Sequence, residues 1–209
     1  MKVTETDTRP RSSQSFRIEG YAIVSVDGML ADHNGHMPGA LKIDADQQFF
    51  ANGLDHADVV VHGRHSHEGQ PHSGRRRRLI LTRQIAAVAS DPEYPQAKLW
   101  NPAGASLTQA CQALALTQGV VAVIGGTDVF GLFLDIGYDV FHLSRAGRVR
   151  LPGGRPVFPQ VPDQTPEAVL ASRGLEAGPA QLLDAQADAT LVTWRKGNPA
   201  DAICDRSPL

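Results

Sequence analysis

From residue 16 onward the chain alternates short apolar runs with stretches of mixed polarity. Residues 17–26, 58–62, 77–82, 120–124 and 140–144 have the length and β-branched content of buried strands. Residues 189–196 (ATLVTWRK) alternate apolar and polar positions, as a half-buried strand does. Helical patterns lie between the strands. Residues 44–54 open with acidic side chains, which suit the positive end of a helix dipole. Residues 106–118 begin with an N-cap Ser, keep Leu107, Ala110, Cys111 and Leu114 at helical spacing, and are followed by Gly119. Residues 127–134 follow a strand directly. This alternation predicts βαβ units and a largely parallel sheet. The stretch LPGGRPVFP, residues 151–159, reads as irregular.

At 209 residues the chain is the size of one domain. Residues 1–15, rich in Thr, Ser and Arg, have nothing to bury and are expected to be a disordered arm. Residues 16–197 form the expected domain and 198–209 a tail. The net charge of −2 weighs against a nucleic-acid or membrane-surface binder, which needs a cationic excess. Cys111 and Cys204 are the two cysteines, so neither a disulfide framework nor a Cys-based zinc site is expected. The first residues lack the apolar core of a secretory signal, and no apolar run reaches the ~18 residues of a membrane span. The expectation is a soluble, cytoplasmic protein.

The sharpest local pattern is VVAVIGGTDVFGLFL, residues 120–134. An apolar run ends in Gly125-Gly126, and Thr127-Asp128 opens a helix. Glycines permit a close backbone approach that a Cβ would block, and a helix start offers unpaired N–H groups to a phosphate. The same segment also reads as a plain strand-to-helix connection. A second strand end, DVVVHGRHSHE, carries Gly63, Arg64, His65 and Ser66, where a guanidinium can grip a phosphate bidentately. A third ends in Thr82-Arg83. Ligands of open α/β sheets gather at the carboxyl ends of strands, so these ends together point to a phosphate-rich cofactor. Three unrelated loops with incidental cations are the alternative.

Two further clusters carry competing readings. The run Arg75–Arg78 suits a nucleic-acid patch, but without interleaved aromatics it reads better as a solvated turn holding one arginine for a substrate anion. His62, His65, His67 and His72 with Glu68 suggest a metal-dependent hydrolase or metal-binding protein, the rival from another class. Their spacing matches no standard ligand set, and exposed or phosphate-facing histidines are the plainer reading.

Taken in order, GRHSHEGQPHSGRRRRLILTR, VIGGTDVF and, upstream, YAIVSVDGMLA resemble the dihydrofolate reductase fold family. The resemblance implies a three-layer α/β/α fold whose mixed central sheet has an antiparallel C-terminal edge. It also implies an NADPH site. Gly63, Arg64, His65, Ser66, Thr82, Arg83, Gly125, Gly126, Thr127, Asp128 and Val129 would hold the dinucleotide, with the backbone near Ala22, Ile23 and Leu30 meeting the nicotinamide.

Ser25-Val26-Asp27-Gly28, with Gly153, Gly154, Pro156 and Phe158, look like the pyrimidine reductase of riboflavin synthesis, although the zinc pattern of its deaminase partner is missing. Residues 37–50 resemble the folate branch: Asp46 (or Asp44) matches its buried carboxylate, Phe50 its aromatic and Arg76 its substrate-anion arginine. Gly39 stands where that branch has Trp. The expected activity is NADPH-dependent reduction of a ribosylaminouracil phosphate-like heterocycle, with dihydrofolate as the alternative substrate and a dinucleotide-binding non-enzyme as a third reading. Such relatives imply a homodimer. Asp46 is the expected proton donor, or else a plain helix N-terminal acid. Asp27 is the other carboxylate near the nicotinamide, or else part of a simple Asp-Gly turn.

Overall fold

The computed structural model describes residues 16–66 and 69–197. Its strands are β1 (Phe16–Ser25), β2 (Met29–Ala31), β3 (Val59–Gly63), β4 (Arg78–Leu81), β5 (Val88–Ser90), β6 (Ala97–Trp100), β7 (Gly119–Val123), β8 (Val140–Ala146), β9 (Arg155–Pro156), β10 (Leu175–Asp184) and β11 (Ala189–Lys196). The helices are α1 (Asp44–Asp55), α2 (Leu107–Gln112), α3 (Thr127–Ile136) and α4 (Pro166–Ser172). Nine strands form one sheet in the order β10-β11-β8-β1-β7-β3-β4-β6-β5, and β2 pairs with β9 beside it. The strands from β8 through β6 in that order run parallel; at one edge β11 is antiparallel to β8 and β10 to β11, and at the other β5 is antiparallel to β6. The expected mixed sheet with an antiparallel C-terminal edge is present.

Side-chain alternation along the strands builds the layers. On one face Val59, Val61, Val121, Val123 and Phe141 pack with α2, α3 and α4, through residues such as Cys111, Phe130, Phe133 and Leu170. On the other face Val60, Ala122 and Tyr21 meet α1 through Leu54, Phe49 and Phe50. Trp100, Phe130, Phe133, Phe141 and Phe158 are all but sealed from solvent. Burying a side chain of this size stabilises the fold by roughly 1.5–3 kcal/mol, so the α2–α3–α4 face is the main core.

Each of the six strands expected from the sequence is present within a residue or two. The helix expected over 106–118 is shorter. After α2 the chain turns at Ala115 (φ 58°), and the Leu116 N–H returns to the Cys111 carbonyl at 3.0 Å, which brings Leu116 into the core. The 151–159 stretch is not wholly irregular, because Arg155 and Pro156 form β9. The expected arm and tail lie outside the described residues. Among those described, no helix is long and apolar enough to cross a membrane.

Candidate active site

Helix α1 lies over the sheet face that carries Tyr21 and Ile23 of β1 and His142 and Ser144 of β8. It can approach because residue 53 is glycine: a Cβ there would stand 2.5 Å from Tyr21 Cε1. Toward the start of α1 the layers part around a cavity of about 430 Å³. Asp46, Phe49 and Phe50 of α1 form its roof, the β1 and β8 side chains its floor, and Leu30 of β2 a wall; Lys42 and Gln47 also line it. A cavity of this size and largely apolar lining suits one small heterocycle.

Asp46 is the acid of this cavity. Its side chain is 6% exposed. Loss of hydration pushes its carboxyl above the usual range, and a hydrogen bond with Ser144 offsets this only in part. A second polar group lies on the same sheet face. The Tyr21 hydroxyl donates to Glu19 at 2.7 Å, and His142 approaches Glu19 at 3.9 Å while its other ring nitrogen meets the Thr193 hydroxyl at 3.0 Å.

The carboxyl ends of β3 and β7 meet directly. The Gly63 N–H donates to the Gly125 carbonyl at 3.0 Å, and the Ser66 N–H donates back to Gly63 at 3.0 Å. The peptide between Gly125 and Gly126 is cis. Gly126 is the N-cap of α3 and brings no capping side chain, so the first turn keeps N–H groups for an anion. Ser66 joins this rim to the cavity: it lines the cavity, and its Oγ lies 3.8 Å from where a Gly126 Cβ would be. Arg64, His65 and Arg83 are exposed along the rim. This donor set of bare amides and cations fits a dinucleotide's phosphates. Asp128 adds the one contrary charge in the first turn, and Arg83 faces it at 3.4 Å. Both side chains are more than four-fifths exposed, so that pair contributes little.

The expected site residues therefore divide. Ala22, Leu30, Asp46, Phe50 and Ser66 line the cavity. Gly63, Arg64, His65, Gly125, Gly126, Thr127 and Asp128 form the rim. Val129 is in the core, so only its backbone faces the turn. The Thr82 hydroxyl is buried and accepts from the Gln84 N–H at 3.2 Å, while the Thr127 hydroxyl donates to the Pro156 carbonyl. Both hydroxyls are thus engaged by the protein's own backbone.

Two expectations are corrected. Asp27 does not line the cavity: it accepts from the Ser25 hydroxyl at 2.5 Å and from the Leu151 N–H at 3.0 Å. Burial raises its carboxyl, but these hydrogen bonds outweigh that and hold it below the usual range, so it is an ionised clamp on the loop after β8. Arg76 also lies outside the cavity, at the entry to β4, where it donates to Asp55 at 2.5 Å and to the Pro71 carbonyl at 2.9 Å.

Among the described residues the histidines of this group do not converge. His62 is buried with its Nδ1 2.9 Å from the Gly63 carbonyl, and His72 faces Asp55 at 3.6 Å. Among the described residues no three potential metal ligands cluster, and His67 and Glu68 lie outside them. Ser144 and His142 were missed as site residues. Their signal was polar residues at alternate positions of an otherwise apolar strand, VFHLS.

No protein-family model matches the chain, and no curated protein matches its sequence. Solved structures do match. A protein assigned to riboflavin biosynthesis from Shewanella sp. PV-4 superposes with a TM-score of 0.59 at 18% identity, over 87% of this chain and 99% of the other. Dihydrofolate reductase from Enterococcus faecalis, complexed with NADP(H) and RAB-propyl, gives 0.59 at 18% identity over 87% and 97%. The chain has the dihydrofolate reductase-like fold. The diaminohydroxyphosphoribosylaminopyrimidine deaminase/5-amino-6-(5-phosphoribosylamino)uracil reductase from Thermotoga maritima shares that fold, with a TM-score of 0.59 at 16% identity over 87% of this chain. This chain spans 56% of that protein. On the dihydrofolate reductase-like framework, Asp46 stands on the helix over the sheet and the glycine rim at the strand ends.

Proposed function

We propose that the protein is an NADPH-dependent reductase of a small heterocycle, of the riboflavin-pathway pyrimidine reductase type. The reading rests on one observation above all: a desolvated acid, Asp46, lines a cavity that shares Ser66 with a rim of bare amides and arginines. The rim residues Arg64, Arg83, Gly125 and Gly126 would hold the phosphates of the dinucleotide. Bound there, the cofactor supplies a hydride to an electrophilic carbon of the substrate.

The remaining work belongs to the protein. Phe49, Phe50 and Tyr21 hold the substrate flat and keep water from it, with the reacting atoms about 3–3.5 Å apart. Asp46 keeps its proton to higher pH than an exposed carboxyl, and delivers it to the atom next to the reduced carbon. Hydride and proton together saturate one C=N or C=O bond, and Asp46 regains its proton from solvent.

The experiment is NADPH oxidation, followed by absorbance, with 5-amino-6-(5-phosphoribosylamino)uracil and, separately, dihydrofolate. Turnover of the first supports the reading. Turnover of dihydrofolate alone reassigns the substrate, and no oxidation with either substrate defeats the proposal.

A further inference from the structure

Thr127 is the first residue of α3, yet its hydroxyl is committed to a carbonyl 29 residues away, donating to Pro156 at 2.5 Å. Pro156 belongs to β9, which is only two residues long. Across β9 lies β2, with Pro156 opposite Met29 and Arg155 opposite Ala31. The Val157 N–H donates to the Gly28 carbonyl at 3.0 Å, and the two backbones touch at Gly154, where a Cβ would stand 2.4 Å from the Ala31 carbonyl oxygen. Between Met29 and Ala31 stands Leu30, a wall of the cavity.

A ladder this short has few hydrogen bonds of its own, so its anchors count heavily. Proline brings no N–H, and its carbonyl is the one backbone group it can offer. Here that group is held by the residue that opens α3. A continuous chain of contacts thus runs from the glycine rim through Thr127 and β9 to β2 and the cavity wall.

We propose that Thr127 is a positioning residue that couples the phosphate-binding turn to the cavity wall. The inference rests on the dinucleotide reading above. An anion on the first turn of α3 fixes Thr127, Thr127 fixes β9, and β9 holds β2 with Leu30 against the cavity. The effect is reciprocal by linkage, so a ligand against Leu30 also favours an ordered α3 turn. The methyl of Thr127 has no part in this; the hydroxyl does the coupling.

The test is amide hydrogen exchange across β2 and at Val157 in the full chain, with and without saturating NADPH. In the wild type, NADPH slows exchange at these amides by about five- to tenfold, within the usual range of coupling. Thr127→Val, measured at its own saturating NADPH, loses that protection to within about twofold, and Thr127→Ser, which keeps the hydroxyl, retains it. Thr127→Ala is the second variant should valine fail to fold. If NADPH binds but protects β2 equally in wild type, Val and Ala variants, Thr127 does not couple the sites and the inference is overturned. If the wild type takes up no NADPH by calorimetry, the dinucleotide reading falls first, and the inference with it.

Discussion

The Tyr21 hydroxyl donates to Glu19 at 2.7 Å from two positions along the same face of β1, and the His142 ring stacks on Tyr21 with centroids 4.7 Å apart. One carboxylate thus ties two neighbouring strands together beneath α1. His142, 3.9 Å away, is the chief influence lowering the Glu19 carboxyl; burial opposes it, Tyr21 and Arg17 assist it, and the net result is about 2.

That value fixes the sign of a pH effect. The folded protein holds Glu19 ionised below its ordinary 4.5, so the unfolded chain binds more protons in that window. The stabilisation is complete above about pH 4.5 and is lost as pH falls toward 2. Glu19→Gln should cost about 1–3 kcal/mol at neutral pH, and the gap from the wild type should close between pH 4.5 and 2. Urea denaturation at several pH values measures it. A gap that stays constant with pH would show that Glu19 is not the group responsible.

Gly53 gives α1 its close seat on the sheet, since a Cβ there would stand 2.5 Å from Tyr21 Cε1 and 2.8 Å from its hydroxyl oxygen. Gly53→Ala should therefore destabilise the fold by about 1–3 kcal/mol, although alanine is the better helix former. Tyr21→Leu should recover part of that loss in the double variant, because it removes the ring that the new methyl meets. Thermal melts of the two single variants and the double variant decide it. A Gly53→Ala protein as stable as the wild type would contradict the contact.

Cys111 lies in the core, and burial pushes its thiol up to about 12. A thiol without its thiolate is a poor nucleophile. Site-resolved mass spectrometry after iodoacetamide at neutral pH should find Cys111 unmodified in the native protein and fully modified in denaturant. Fast native labelling would mean that α2 opens far more readily than its packing implies.

The sequence carried the parallel core plainly, because β3 and β7 hold unbroken apolar runs, β8 sets apolar residues at Val140, Phe141 and Leu143, and β11 alternates. It did not carry β5, β6 or β10. Val88–Ser90 and Ala97–Trp100 are short segments that only pairing makes strands, Ala97–Trp100 with β4 and Val88–Ser90 with Ala97–Trp100 in turn. β10 contains Gly178 and Pro179, which read as breakers and do interrupt its register with β11. Helix α4 has a Thr165 N-cap and Pro166 at its start, a local signal that went unread. For the candidate site, the glycine corner at a strand end and the place of Asp46 in the first turn of a helix were legible because those patterns are local. Asp27 and Arg76 were not, since their positions depend on partners, Leu151 and Asp55, that only the fold brings near. The same holds for Thr127, whose hydroxyl serves a strand that the sequence showed as loop.

Asp46 allows the sharpest test, because its two effects run in opposite directions. Its carboxyl is raised by burial, so the folded protein keeps that proton where the unfolded chain has lost it. The stability linked to Asp46 is full below the ordinary 3.8 and falls as pH rises through the raised value. Asp46→Asn removes that penalty, and its melting temperature at pH 8 should equal or exceed the wild type, with no advantage at pH 3. Catalysis should suffer, because an amide cannot supply the proton. A positioned general acid contributes about 10²–10⁴-fold, and kcat should fall within that range while NADPH binding is retained. The wild-type rate should decline with rising pH as Asp46 ionises, and the small residual rate of the variant should lose that dependence. A variant that is less stable at pH 8 yet reduces substrate at the wild-type rate would place Asp46 among the structural residues and move the proton donor elsewhere.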